Sequence, residues 1–498
     1  MGCNFASLAA ESGKEATGKI SREEQKKLGQ FLTPTPIAQF MARRVIAGLS
    51  CDSISILEPA AGTGILAAAV VEALLNRAEP PSQLHLTLFE IDERLIGSLR
   101  SLSKHMAKTA KERGVHLTYC IRNEDFLLSS DAIKQRPTAD IVIANPPYFK
   151  IGANDERAVA HSYAVFGQPN IYGLFMAACA SLVSAGGRWC FITPRSWTNG
   201  NYFSGVRKTV LKNLSIDSFH IFGSRAEHFV EDAILQEAMI TWGTAQAPPQ
   251  TEVIISASEG VSDIDDAELN TLPLNRVFSE DTEKLISLRI DGRDPLAAYT
   301  ACLETYGLRV STGPVIAFRA KQFLEEGKTR NSVPLLWLQH INHLRIQWPI
   351  EKKLEHIRAT AASASLLVEN SPMVILRRFS PKEDERRVTA AAYVGGLPGL
   401  GLGLENHLNY IYRPGGKMTP EEALGIAAYL NSQLVDEHFR ATAGSTQVNA
   451  SELRKLPLPP LEDLLAIGAS LRPGVPLREA DRIVESILGL AAVSDAAA

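Results

Sequence analysis

From Asp140 to Lys150 the chain reads DIVIANPPYFK, an apolar run from Ile141 to Ala144 cut off by two consecutive prolines. An unbroken apolar run suits a strand buried on both faces, and proline cannot donate to a ladder, so the strand must end there. Three earlier stretches carry the same signal: SISILE before a glycine turn and the apolar helix pattern ILAAAVVEALL, then LHLTLFEID, then LTYCIRNEDFLL. Beyond a polar loop over 151–169, long enough to act as a lid or binding loop, NIYGLFMAACASLVSAGG predicts a helix capped by Gly186-Gly187. RWCFITPRSW follows as a fifth strand, and SIDSFHIFG with DAILQEAMITWG closes the sheet, the last as a hairpin partner. Strands alternating with helices predict an α/β fold with a largely parallel sheet.

The flanks differ. Residues 1–28 are polar, with a capping-box spacing from Ser21 to Glu24 that predicts a solvated helix. Thr33-Pro34-Thr35-Pro36 then forms a stiff turn at the mouth of the helix IAQFMARRVIAGL. After residue 300 short strands and turns are interleaved with Arg, Lys, His and Trp, an α+β pattern. One confident amphipathic helix is predicted there, from Thr419 as N-cap and Pro420 at the first helical position to Gly444. The patterns divide the chain into an N-terminal extension (1–28), an α/β domain (29–245), a connector (246–300) and an α+β domain (301–490).

Length and charge sharpen this division. At 498 residues the chain exceeds one ordinary core. The net charge of −4 argues against nonspecific coating of nucleic acid, but residues 251–300 hold 4 Lys+Arg against 11 Asp+Glu, whereas 301–460 hold 19 against 15. An acidic connector thus precedes a mildly basic module, compatible with DNA binding, although such charges also describe a solvated face. No apolar run reaches a membrane span and the start lacks an apolar signal core, so a cytoplasmic protein is expected. The six cysteines form no CxxC, and neither a disulfide framework nor a metal site is expected.

Candidate chemistry gathers at the ends of the four predicted strands. Glu58-Pro59-Ala60-Ala61-Gly62-Thr63-Gly64 stands where strand gives way to helix, and its glycines let a ligand approach the backbone. The third glycine of a dinucleotide fingerprint is missing, and Glu58 would repel a pyrophosphate but attract a sulfonium or an amino group. Glu90 ends the second strand, where an acid binds ribose hydroxyls; Asp125 and Phe126 end the third, an acid and a ring able to read an adenine's amino edge and cover its face. The fourth ends in Asn145-Pro146-Pro147-Tyr148.

With GQFLTPTPIAQFM, LEPAAGTG, LFEID, EDF and NPPY in this order, the chain resembles the amino-methylating DNA adenine methyltransferases of the gamma arrangement. STGPVIAFR and STQVNASELRKLPLPP look most like the modification methylases of type II restriction systems in the PstI/BsuBI group. The resemblance implies a Rossmann-like class I S-adenosylmethionine-dependent methyltransferase domain with a mixed seven-stranded sheet, followed by an α+β target-recognition domain. It implies S-adenosylmethionine contacts from Thr33, Glu58, Ala60, Gly62, Glu90, Asp125 and Phe126. Asn145 and the Pro146 carbonyl would accept hydrogen bonds from the target amine, and Tyr148 would stack on a flipped adenine. Phe229 is similar to the family's second stacking aromatic, without the proline that commonly follows it. The implied partner is double-stranded DNA, with a CTGCAG-like palindrome as site and a cognate endonuclease acting separately on it; the enzyme would be a monomer or dimer. No cysteine follows proline, as cytosine-5 methylation would require. A protein or RNA methyltransferase using the same NPPY site, and a noncatalytic DNA-specificity protein, are the alternatives.

Overall fold

The computed structural model describes residues 3–17, 33–222, 238–279, 282–289, 296, 298–380, 384–442 and 448–489. The chain divides into two compact units, Met1–Gly292 and Arg293–Ala498. Among the described residues no helix is long and apolar enough to cross a membrane, and no group of three or more His, Cys, Asp or Glu side chains is disposed to hold a metal.

The first unit is built on a mixed sheet of β1 (Ser53–Glu58), β2 (Gln83–Phe89), β3 (His116–Arg122), β4 (Ala139–Ala144), β5 (Val183–Pro194), β6 (Leu214–Phe222), β7 (Ala238–Ala245), β8 (Glu252–Ser258) and β9 (Leu269–Pro273). The order is β3-β2-β1-β4-β5-β7-β6-β8-β9. The five strands from β3 to β5 are parallel neighbours, and β7 runs antiparallel between β5 and β6. The expected seven strands are therefore present, with two more. These two come from the stretch expected to be an acidic connector: β8 pairs in parallel with β6, and β9 returns antiparallel. Val253 and Ile255 are buried in the core, so the acidic residues between them and the next unit masked an alternating strand.

Two further expectations change. The polar N-terminal extension contains the helix Phe5–Thr17, whose Phe5, Ala6 and Ala9 are buried in the same core as the helix Ile65–Leu75. Its Phe5 amide donates to Glu72 Oε2 at 2.9 Å. The Ser21–Glu24 capping box lies outside the described residues. Gly186-Gly187 do not cap a helix: the helix Ile171–Ala180 has already ended, and both glycines lie within β5. Gly186 has φ of 72°, and the β4–β5 register jumps from Ala139↔Val183 to Ile141↔Arg188. A bulge with a left-handed residue and a helix cap both ask for glycine, so the residue type alone could not separate them.

The second unit packs a four-stranded antiparallel sheet of β10 (Arg309–Thr312), β17 (Met373–Arg377), β18 (Ala390–Tyr393) and β20 (Leu408–Tyr412) against the helices Pro420–Asn431 and Leu461–Ala469. A five-stranded sheet combines β11 (Leu324–Glu325), β12 (Ser332–Leu336), β15 (His356–Arg358), β16 (Leu367–Glu369) and β19 (Gly401–Leu404), and a ribbon pairs β13 (Ile341–Asn342) with β14 (Arg345–Ile346). Thr419 caps the first helix as expected, its Oγ1 accepting from the Glu422 amide at 3.1 Å. That helix stops at Asn431, however, and a second runs Gln433–Thr442. The break is chemical: Asn431 Nδ2 donates to Ala390 O of β18 at 2.8 Å, and the Ser432 hydroxyl donates to Tyr429 O at 2.6 Å. Side chains that compete for backbone partners end helices that apolar periodicity would continue.

Candidate active site

All four carboxyl ends of β1 to β4 open toward one cavity of about 230 Å³. Its lining includes Thr33, Glu58, Ala60, Gly62, Glu90, Asp125, Phe126 and Asn145. Parallel strands with helices on both faces bring their ends to one rim, so residues as distant in sequence as Thr33 and Asn145, 112 positions apart, meet in one site.

The glycine turn is shaped from within. Gly62 and Gly64 take φ of 55° and 84°, and a Cβ on Gly64 would meet Leu99 at 2.7 Å. Glu58 is fully buried, and its Oε2 accepts from the Ala67 amide in the first turn of the helix Ile65–Leu75 at 2.9 Å. That helix amino terminus, the usual seat of a ligand phosphate, thus already holds a carboxyl of the chain's own. Glu90 ties the turn to β2: Oε2 accepts from the Gly62 amide at 2.6 Å and Oε1 from the Asp92 amide at 2.7 Å. Burial holds both carboxyls above the ordinary range, Glu58 well above; the charge of Glu90 adds to the rise at Glu58, and that of Asp92 to the rise at Glu90. Thr63 Oγ1 donates to Ala9 O at 2.9 Å, so the N-terminal helix braces the same turn, and its Gly13 reaches the lining.

A stack of rings forms the apolar wall. Phe126 lies edge-on to Phe89 at 5.1 Å and stacks on Phe175 at 5.4 Å. Asp125 is held by the Leu127 amide, 2.9 Å from its Oδ1, while Arg157 Nη1 stands 3.7 Å from its Oδ2. Arg157 belongs to the 151–169 loop, which has structure of its own: a short helix Glu156–Ala160, ends joined by a Lys150–Asn170 bridge, and a buried His161 whose Nε2 meets Leu127 O at 2.8 Å. Burial holds that imidazole below its ordinary pKa, matching a neutral ring donating to a carbonyl. The sequence reading missed Gly13, Phe149, Arg157, Ile171 and Phe175. Ile171 and Phe175 carried a usable signal, four residues apart at the start of the helix that follows NPPY.

At the end of β4, Asn145 is partly buried with its amide engaged on both sides. Nδ2 donates to Thr33 Oγ1 at 3.0 Å, and Oδ1 lies 2.6 Å from the Tyr148 hydroxyl. That hydroxyl also lies 2.9 Å from Ile192 O on β5, so one proton faces two acceptors and anchors the ring. Tyr148 is 8% exposed and sits edge-on to Tyr172 at 5.9 Å. Pro147 and Asn145 line the cavity, whereas Pro146 and Tyr148 do not. Phe229 lies outside the described residues.

The Eco57I restriction-modification methylase family matches residues 83–229. The type II methyltransferase M.PstI of Providencia stuartii is 32% identical over 92% of this chain and 92% of its own length. M.BsuBI of Bacillus subtilis, also a type II methyltransferase, is 32% identical over 90% of each. The Type IIL restriction-modification enzyme MmeI, solved in complex with DNA, shares the fold with a TM-score of 0.56 at 13% identity, covering 96% of this chain and 74% of that one. A match at that identity over nine-tenths of the chain, joined to a strand-end cavity lined by the residues of the motifs, leaves one conclusion: the chain belongs to the type II methyltransferases of restriction-modification systems.

Proposed function

We propose that this site-specific DNA methyltransferase modifies the exocyclic amine of an adenine flipped out of double-stranded DNA, and that Asn145 is its central catalytic residue. The observation that carries the reading is Asn145: an amide held at a strand end, opening on the same cavity as Glu90, Asp125 and Phe126.

The cavity fits S-adenosylmethionine in donor set and shape. Backbone at Ala60 and Gly62 is open to a ligand, with nothing within 4 Å of where a Gly62 Cβ would stand. Glu90 supplies acceptors for ribose hydroxyls, and Asp125 and Phe126 suit an adenine's edge and face. With Glu58 occupying the helix start and the Glu90 carboxyl on the lining, the pocket disfavours a pyrophosphate. When bound, the cofactor supplies an electrophilic methyl on a positively charged sulfur.

The chain's own residues do the rest. Adenine's amine is a weak nucleophile because its lone pair is conjugated with the ring. Acceptors at Asn145 Oδ1 and the Pro146 carbonyl would draw its hydrogens out of plane and stabilise the charge that develops as the methyl is attacked. No strong base is required. Two prolines fix the backbone that aims the Pro146 carbonyl. Tyr148 and Phe229 are the rings assigned to the extruded base, whose stacking would offset about 1–3 kcal/mol of what flipping costs. The unit from Arg293 onward is assigned to DNA target recognition, and a separate endonuclease would act on the same site without a stable complex.

The test is methyl transfer from tritiated cofactor to unmodified bacterial chromosomal DNA, followed by nucleoside analysis. Label is expected on adenine at N6; label on cytosine, or on protein alone, overturns the reading. Asn145→Ala is expected to lower turnover by about 10²–10³-fold or more, the scale of losing one preorganised transition-state contact. Cofactor and DNA binding should persist.

A further inference from the structure

We infer that Thr33 is a positioning residue for Asn145, holding the donor end of its amide while the Tyr148 hydroxyl holds the acceptor end. An asparagine amide has one acceptor and one donor end, and only the acceptor can engage an incoming amine; presented the other way round, donor would face donor. The Tyr148 hydroxyl lies 2.6 Å from Oδ1 at one end, and the other end needs a partner of its own. Thr33 Oγ1 lies 3.0 Å from Asn145 Nδ2, 4% exposed and fixed just ahead of Pro34 and the helix Thr35–Val45. A hydroxyl has two acceptor lone pairs and one proton, so Thr33 can take the Nδ2 proton and still donate its own into the cavity it lines. Its reach into both places makes it the link through which a filled cavity stiffens the catalytic amide. The sequence pattern assigned Thr33 to the cofactor alone, because its partner lies 112 residues away.

The inference rests on the role proposed for Asn145, and its test separates the two. Thr33→Val keeps the shape and removes the oxygen, while Thr33→Ser keeps the oxygen. Thr33→Val is expected to lower kcat, read at saturating cofactor, by about 10- to 100-fold, the scale of a misplaced reacting group, with the DNA dissociation constant close to that of the parent protein; Thr33→Ser restores kcat. Asn145→Asp offers two equivalent oxygens and needs no orienting, so adding Thr33→Val to it should cost nothing further, a non-additivity read by the double-mutant cycle. An activity-free readout is the side-chain amide of Asn145 in protein labelled with ¹⁵N-asparagine: its hydrogens should exchange faster in Thr33→Val than in Thr33→Ser. Unchanged kcat with a raised cofactor KM, or exchange rates equal in both variants, would overturn the inference. Slowed exchange by Thr33 in a protein that labels no adenine would instead overturn the reaction and leave the contact standing.

Discussion

Two carboxylates in the site show how one residue type is put to separate uses. Glu58 is committed to the amides of a helix start, and Glu90 to the backbone of the glycine turn, so neither is a loose charge waiting for a cation. Burial raises the Glu90 pKa above 4.5, which means the folded chain binds that proton more tightly than the unfolded one. Its protonation thus adds stability below pH 4.5, and this gain is lost as pH rises through the folded value. For the cofactor the sign is the reverse: a protonated Glu90 offers one acceptor fewer. Calorimetric titration should find cofactor affinity falling as pH drops from neutral toward 4.5, and Glu90→Gln should bind weakly with little of this dependence. An undiminished slope in Glu90→Gln would assign the titration elsewhere. At this scale the sequence was informative wherever a residue lines the cavity next to its own strand end, as with Gly62, Glu90, Asp125 and Asn145. It was silent on Gly13, Arg157 and Phe175, whose places depend on contacts between distant segments.

Elements were legible where periodicity had no competitor. The four strands of the site start within a residue of the runs that announced them, although β2 stops three residues and β3 six residues before its run ends, and the Thr419-Pro420 start held because cap and proline agree. Glycine and buried asparagine were the ambiguous letters, as the bulge at Gly186 and the break after Asn431 show. A third glycine use appears where the helices Pro420–Asn431 and Leu461–Ala469 cross. A Cβ on Gly425 would stand 1.8 Å from Leu464 O, and one on Gly468 would stand 1.8 Å from Glu421 O. Neither backbone can retreat independently, since each helix carries the other's contact. Gly425→Ala is therefore expected to destabilise the second unit by about 3 kcal/mol, the upper range of overpacking, measurable by urea denaturation. A loss no larger than the intrinsic helix gain from glycine to alanine would show that the helices separate freely. Elsewhere in this unit, the 394–400 turn is pinned by Asn370, whose Nδ2 donates to Leu397 O at 2.8 Å and Gly399 O at 2.6 Å, and it presents Leu400 almost wholly to solvent.

At the scale of the whole molecule, the two units have separate hydrophobic cores, one set ending by Leu288 and the other beginning at Leu296. Length and composition signalled this duplication, but the boundary read from charge fell too early, because acidic residues were taken for a linker. Charge marks solvent exposure of one face only, and β8 and β9 show only one face to solvent. With its core intact, a fragment of residues 1–292 is expected to bind cofactor with near-native affinity while losing site-specific DNA retention in a mobility-shift assay. Retained site specificity would remove recognition from the second unit. The added strands also decide where the chain can be cut. A fragment stopped at residue 245, where the motifs end, would leave β6 with a bare row of amides and carbonyls beside Phe219 and Ile221, open to recruiting the same strand from another copy. The acidic tract thus serves as a selvedge: β9, short and ending in proline, finishes a sheet that would otherwise unravel into aggregation.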